Sequence, residues 1–253
     1  KKYQVAAFEK EKRFAMAGRL IKIFGNHDLY WKNDPFAYFQ IKEIYGSDLT
    51  IHEGVLLQTN VEGKQLNIFC THGHQGDAVS DGNWFSEFFV SKIWAPLQSF
   101  LKINPNTPAY DASLKTTHNH LMYDWSAAQK NLLLITGHTH QPVFESLTHI
   151  ERLYRSLLFA RQVNDKEMIQ SLEKEIQLRK FEYTTISPDY LQLKPTYFNT
   201  GCCCFNDGDI TGIEIEEDCI RLIKWNAKSG TPKRMILEEA ALAELIQEIE
   251  KKG

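Results

Sequence analysis

Three short apolar runs, each followed by a polar cluster that contains histidine, constrain the fold of this chain most. The runs span residues 20–24, 66–70 and 132–135, and each ends within two residues of its cluster. Apolar runs of this length that end at turn residues are typical of buried strands. In open α/β sheets, ligands bind beyond the carboxyl ends of the strands. The pattern therefore predicts an α/β domain in which the three clusters meet at one site.

The clusters concentrate the histidines of the chain. Nine histidines occur, and five of them lie in the clusters: His27, His72, His74, His138 and His140. A single histidine is usually an ordinary hydrogen-bonded residue, but packing alone does not explain five at strand ends. Imidazole suits divalent ions such as Zn, Mn and Fe, and an asparagine in the first cluster adds an uncharged oxygen. We therefore interpret the clusters as a metal site.

We expect a single domain over residues 1–253 that carries two insertions. Residues 4–19 read as a helix that precedes the first strand. Residues 82–130 form an aromatic-rich insertion, interpreted either as core or as a cap over the site that selects an apolar substrate. Residues 146–182 predict a helical hairpin with a charged surface, which packs on the domain or contacts a partner.

The chain then returns to strands. Residues 196–198 predict a strand that leads into Asn199, and residues 211–215 alternate apolar and polar side chains like a half-buried strand. Residues 220–225 would pair with it across a turn at Glu217 and Asp218. A closing helix is predicted over residues 238–251.

Composition excludes several classes of protein. The net charge of −3 offers no basic surface for general nucleic-acid binding, and no run of 18 apolar residues could span a membrane. Five cysteines, three of them adjacent, form no disulfide framework and indicate a reducing compartment, which predicts a cytoplasmic location. Hydrophobic residues make up 43% of the chain, which excludes a disordered protein.

The three clusters also carry a family resemblance. Gly-Asn-His-Asp at residues 25–28, Thr-His-Gly-His at 71–74 and Gly-His-Thr-His at 137–140 resemble, in that order, the motifs of the calcineurin-like metallophosphoesterases. Asn-Thr-Gly at 199–201 is similar to the closing strand and turn of that family. The resemblance covers roughly residues 15–80 and 130–225. It implies a two-sheet β-sandwich flanked by helices, with the helical segments as insertions.

The resemblance assigns metal ligands. Asn26, His72 and His138 would bind the same ion, and His140 would reach the other ion of a binuclear centre. Two divalent ions, Mn, Fe or Zn, are implied as cofactors. The expected reaction is hydrolysis of a phosphoric ester or anhydride by a metal-activated hydroxide.

The resemblance also assigns roles in catalysis. His27 would lie beside the leaving oxygen and stabilise the transition state or donate a proton, with Asp28 orienting its ring. His74 has no ligand role in the motif and would touch the substrate or support a ligand. The sequence Gly-His-Thr-His-Gln-Pro at residues 137–142 is similar to that of the nucleotide-sugar lipid pyrophosphatases. The implied partner is therefore a phosphorylated small molecule or a lipid-linked substrate. Phosphatase and phosphodiesterase activities remain alternatives.

One departure from the family pattern leaves a second class of function open. The family begins with Asp-X-His and Gly-Asp motifs, and the 24 residues before Gly25 contain neither aspartate nor histidine. We expect that this chain starts after those motifs. The alternative is a non-catalytic scaffold that keeps the fold with a degenerate metal site.

Three other groups of polar residues attract attention but favour ordinary roles. His118 and His120 resemble a ligand pair, yet they are expected to precede a helix rather than to follow a strand. The cysteines at 202–204 would alternate along a strand, so small buried residues are favoured over a soft-metal cluster. Asp77 and Asp81 either line the substrate pocket or lie in a solvated loop.

Overall fold

The computed structural model describes residues 2–28, 31, 34–46, 48–74, 112–179, 190–203, 208–226 and 230–252. The chain divides into two compact units, residues 1–55 and residues 56–253. Most of the aromatic-rich segment, residues 82–111, lies outside the described residues, as do Asp77 and Asp81.

The first unit contains two helices and two short strands: α1 (Lys2–Met16), β1 (Lys22–Ile23), α2 (Ala37–Tyr45) and β2 (Ile51–His52). Strands β1 and β2 pair in parallel. The core of this unit consists of side chains from the helices and the loops beside them: Ala15, Ala37, Ile41, Tyr45 and Leu49. The predicted helix before the first strand is confirmed, although it ends at Met16 rather than at residue 19.

The first apolar run does not form the buried strand that the sequence predicts. Only Lys22 and Ile23 are in strand conformation, and both are half-buried. The Lys22 ammonium donates hydrogen bonds to the Tyr45 hydroxyl at 2.6 Å and to the Glu11 carboxylate at 2.9 Å. Burial lowers the pKa of Lys22, but these hydrogen bonds outweigh it and raise the pKa overall. Lys22, in the middle of the run, keeps polar partners and is only half-buried, so the run does not form a buried strand.

A six-stranded sheet forms the centre of the second unit; only the first two residues of β3 belong to the first unit. Its strands are β3 (Gly54–Val61), β4 (Lys64–Thr71), β5 (Leu132–Thr136), β6 (Val143–Phe144), β7 (Leu147–Thr148) and β8 (Tyr197–Asn199). Their order in the sheet is β3-β4-β5-β8-β6-β7. Strands β4, β5 and β8 are parallel to each other. The polar residues that follow them therefore emerge at one edge of the sheet.

Strand β5 is buried on both faces, which explains its unbroken apolar sequence. Leu133 and Ile135 join a core shared with a second sheet. Leu134 and Leu132 face the other way, in a cluster that contains Met122 of helix α3 (Ala112–Ala127). A strand covered on both sides reads as a continuous hydrophobic run rather than as an alternating one.

The second sheet is antiparallel and packs against the first. It comprises β9 (Ile210–Glu216), β10 (Cys219–Asn226) and β11 (Lys233–Ala241), in the order β11-β10-β9. Ile220 and Leu222 of β10 and Leu245 of helix α6 (Leu242–Lys251) belong to the same core as Leu133. The predicted α/β fold with two packed sheets and flanking helices is confirmed.

The C-terminal hairpin is confirmed, but the closing helix was predicted four residues too early. Glu217 and Asp218 have φ of 53° and 60° and join β9 to β10 in a two-residue turn. Residues 238–241 lie in β11, where Glu238 pairs with Leu222, and helix α6 begins at Leu242. Glutamate and alanine favour a helix, but pairing along β10 overrides that preference.

Helices α4 (His149–Gln162) and α5 (Lys166–Arg179) occupy the segment where the sequence predicts a helical hairpin. They pack through Ile150, Leu153, Leu157 and Ile176. Within the described residues, no helix is long and apolar enough to cross a membrane.

Candidate metal centre

The loop after β4 places His72 and His74 at the end of the central sheet. His72 is half-buried, and His74 is 2% exposed. Gly73 between them has φ of +94°, and a Cβ atom added there would lie 2.8 Å from Cβ of Thr136 at the end of β5. Only glycine adopts this conformation without strain and lets the loop lie so close to the neighbouring strand.

Replacing Gly73 with alanine is expected to destabilise the second unit. The left-handed backbone costs a non-glycine residue about 1–2 kcal/mol, and the contact with Thr136 adds about 1–3 kcal/mol for overpacking. Gly63→Ala is the matched control, because Gly63 has φ of +83° and nothing within 4 Å of an added Cβ. Urea unfolding of both variants measures the difference, and equal midpoints would show that Thr136 does not constrain this loop.

The loop after β5 holds its histidines in an unusual backbone conformation. His138 and His140 have φ of +66° and +57°, in the left-handed region that residues other than glycine rarely adopt. The Gly137 amide donates to the carbonyl of His72 at 2.9 Å, which joins this loop directly to the loop after β4. Strained backbone of this kind persists only where the surrounding structure fixes it, and it is frequent at functional sites.

The fully buried amide of Asn199, at the end of β8, supports the same loop. Its Nδ2 donates to the carbonyl of Gly137 at 2.5 Å and to Oγ1 of Thr139 at 3.2 Å. The Tyr197 hydroxyl lies 3.1 Å from Nδ2 of Asn199. Burial raises the pKa of Tyr197 to about 12, so this phenol stays neutral at ordinary pH. The Asn-Thr-Gly motif thus begins with a side chain that fixes the backbone around His138.

Four imidazole rings lie side by side at this edge of the sheet, and we call them the imidazole cluster: His72, His74, His118 and His138. The ring centroids of His72 and His74 are 5.2 Å apart, as are those of His72 and His138. His118 and His138 are separated by 5.3 Å. The predicted neighbourhood of the second and third motifs thus exists in the second unit.

His118 is the residue that the sequence analysis undervalued. It does not precede a helix, as expected, but lies inside helix α3, and its side chain is 3% exposed. His118 and Met122 are four residues apart and therefore share the buried face of that helix. The four-residue spacing of His118 and Met122 could have predicted that both are buried, but only if the helix was known to begin at Ala112.

His140 is placed differently from the cluster. Its side chain is exposed, and its Nδ1 lies 3.3 Å from Sγ of Cys202. Cys202 is buried and Cys203 is exposed, and neither is in a strand, so the expected alternation along a strand is wrong for these two residues. Cys204 lies outside the described residues.

The first unit carries the Gly-Asn-His-Asp motif in a turn after β1. The Asp28 amide donates to the carbonyl of Gly25 at 3.0 Å and closes the turn. Asn26 is half-buried, and His27 and Asp28 are exposed. The last two residues of the motif, His27 and Asp28, are therefore accessible to solvent, whereas Oδ1 of Asn26 is buried.

The donors that the structure brings together fit part of a metal site. His72 and His138 present two neighbouring imidazoles, the nitrogen ligands that Zn, Mn and Fe accept. Among the described residues, no group of three or more histidine, cysteine, aspartate or glutamate side chains is arranged to hold a metal ion. The imidazole cluster therefore offers two neighbouring nitrogen donors that suit such an ion, which is fewer than a complete metal site requires.

The family follows from a sequence comparison. The model of the calcineurin-like phosphoesterase family matches residues 3–142, which is more than half of the 253-residue chain. The chain belongs to this family, whose members are metal-dependent hydrolases of phosphorylated substrates. The matched range includes all three histidine motifs. No curated protein matches the chain.

Proposed function

We propose that this protein hydrolyses a phosphoric ester or anhydride with two divalent metal ions. Asn26, His72 and His138 bind one ion, and His140 binds the other. The observation that carries the proposal is the 5.2 Å contact between the rings of His72 and His138, which follow adjacent parallel strands at motif positions of the family. Packing does not require two imidazoles at the same edge of a sheet.

Residues of the chain orient the metal ligands and donate the proton to the leaving oxygen. When bound, the two ions supply charge neutralisation at the phosphoryl oxygens and a nucleophilic water near neutral pH. The peptide hydrogen bond between Gly137 and His72 fixes the two ligand loops relative to each other. His27 donates a proton to the leaving oxygen, and Asp28 orients its ring. His74, next to His72 in the imidazole cluster, supports a ligand or contacts the substrate.

The substrate class and the location are part of the same proposal. We infer a phosphorylated small molecule or a lipid-linked substrate, with Mn, Fe or Zn as the metal and the cytoplasm as the location. The cytoplasmic location rests on the five cysteines of the sequence, which form no disulfide framework.

A metal-loading experiment with the protein tests the proposal. The protein is stripped with a chelator, reloaded separately with Mn, Zn or Fe, and assayed against an aryl phosphate monoester and an aryl phosphate diester. We expect bound metal by elemental analysis and turnover that disappears on chelation. Bound metal without turnover over the panel would favour the scaffold function, and absence of bound metal would refute the ligand assignment.

A further inference from the structure

A buried hydrogen bond ties helix α3 to the loop between His72 and His74. Nε2 of His118 lies 2.6 Å from the carbonyl oxygen of Gly73, and a carbonyl can only accept, so Nε2 donates. His118 is buried, and a hydrogen bond in such surroundings is stronger than one in water. The bond fixes the peptide between Gly73 and His74, one residue beyond His72.

The same imidazole also contacts the second ligand loop. The ring of His118 packs edge-on against that of His138, with an interplanar angle of 64°. His118 therefore touches both loops at once, one through its donor nitrogen and the other through its ring. His118 thus adds a side-chain link to the peptide hydrogen bond between Gly137 and His72 that already joins the two loops.

Asn119, the next residue of helix α3, supports the loop after β5. Asn119 Oδ1 accepts hydrogen bonds from the Tyr197 hydroxyl at 3.0 Å and from Oγ1 of Thr139 at 3.3 Å. Its Nδ2 donates to Oε1 of Gln141 at 2.8 Å. Two consecutive residues of α3 thus fasten the loop after β4 and the loop after β5.

We propose that His118 is a positioning residue of the metal centre, which holds His72 and His138 at the separation that one ion requires before the ion binds. The inference rests on the proposed metal site. A ligand pair fixed in advance loses less conformational freedom on binding, so affinity rises without an additional ligand. Supporting residues outside the coordination shell contribute about 10–100-fold to metal affinity in known sites.

The test compares three substitutions of His118. His118→Phe keeps a ring against His138 and removes the donor. His118→Gln keeps an amide donor that can reach the carbonyl of Gly73, and His118→Asn has the same amide on a shorter side chain. His120→Ala is the control, since His120 lies in the same helix and is half-buried.

Zinc affinity of the full chain by calorimetry is the first measurement, and the absorption spectrum of the cobalt-loaded protein is the second. We expect His118→Phe to weaken zinc binding about 10–100-fold and to change the cobalt spectrum. His118→Gln is expected to recover most of the affinity, and His120→Ala to match the wild type. Should His118→Phe not fold, the comparison of His118→Gln with His118→Asn replaces it, and the shorter side chain is expected to bind zinc more weakly.

A role in stability alone predicts a different result. In that case His118→Phe would lower the melting temperature of the metal-free protein and leave zinc affinity and the cobalt spectrum unchanged. Equal zinc affinity of His118→Gln and His118→Asn would overturn the proposal as well. If the wild-type protein binds no zinc, cobalt or manganese, the proposed metal site itself is wrong, and this inference is wrong with it.

Discussion

Alanine in place of His138 is expected to abolish hydrolysis, because this imidazole is a proposed metal ligand and the centre of the imidazole cluster. Its ring lies between those of His72 and His118, at 5.2 Å and 5.3 Å. Loss of a ligand should cost more than the 10–100-fold that is typical of residues outside the coordination shell, so we expect turnover to fall by more than about 100-fold. The metal content per chain, measured by elemental analysis, should fall with it.

Two comparisons separate a lost ligand from a misfolded protein. His149→Ala is the control, because His149 lies in the same unit on helix α4, where it contacts Glu175. His138→Asn is the second comparison, since asparagine tolerates the left-handed backbone found at this position better than most residues. The melting temperature of the metal-free protein shows whether each variant folds. A folded His138→Ala protein with the full metal content would contradict the assignment.

The elements that the sequence predicted best are those whose own residue pattern already reflects their burial. Strands β4, β5 and β8 were recognisable because they are central and largely apolar, and the motifs after them follow at fixed short distances. The C-terminal hairpin was recognisable because β9 alternates and its turn is short. In each case the pattern that predicts the element is local, and the tertiary contacts reinforce it.

Elements that depend on distant partners were predicted less well. Strand β11 contains glutamates and alanines that favour a helix, and its pairing with β10 decides its conformation. Strand β1 was expected to be buried, but Lys22 within it binds Glu11 and Tyr45. These contacts join residues far apart in the sequence, so no local pattern contains them.

In the candidate site, too, residues in local patterns were predicted and contacts between distant residues were not. The histidines of the three motifs could be singled out because they follow apolar runs. His118 was recognised only as half of a possible ligand pair, because its contact is with the carbonyl of Gly73, a group that every residue carries. Likewise, the contact of His140 with Cys202 depends on the path of the chain after β8 rather than on the spacing of the cysteines.

Alanine in place of His27 is expected to separate catalysis from metal binding. His27 is proposed to donate a proton to the leaving oxygen and not to bind an ion, and its side chain is exposed in the turn after β1. General acid–base catalysis typically contributes about 10²–10⁴-fold, so the rate constant for turnover should fall by that factor while the metal content stays at the wild-type value. Turnover and elemental analysis are measured on the same preparation.

Asn26, the residue before His27, provides a matched variant for comparison with His27→Ala. Asn26→Ala changes the adjacent position of the same turn, but it removes a proposed ligand, so metal content and turnover should fall together. His52→Ala, an exposed histidine of β2 in the same unit, should change neither. A substrate with a more acidic leaving group needs less help from a proton donor, so the defect of His27→Ala should shrink with such a substrate while that of Asn26→Ala persists. Equal loss of metal in both variants would show that His27 is a ligand or that the turn acts as one structural unit.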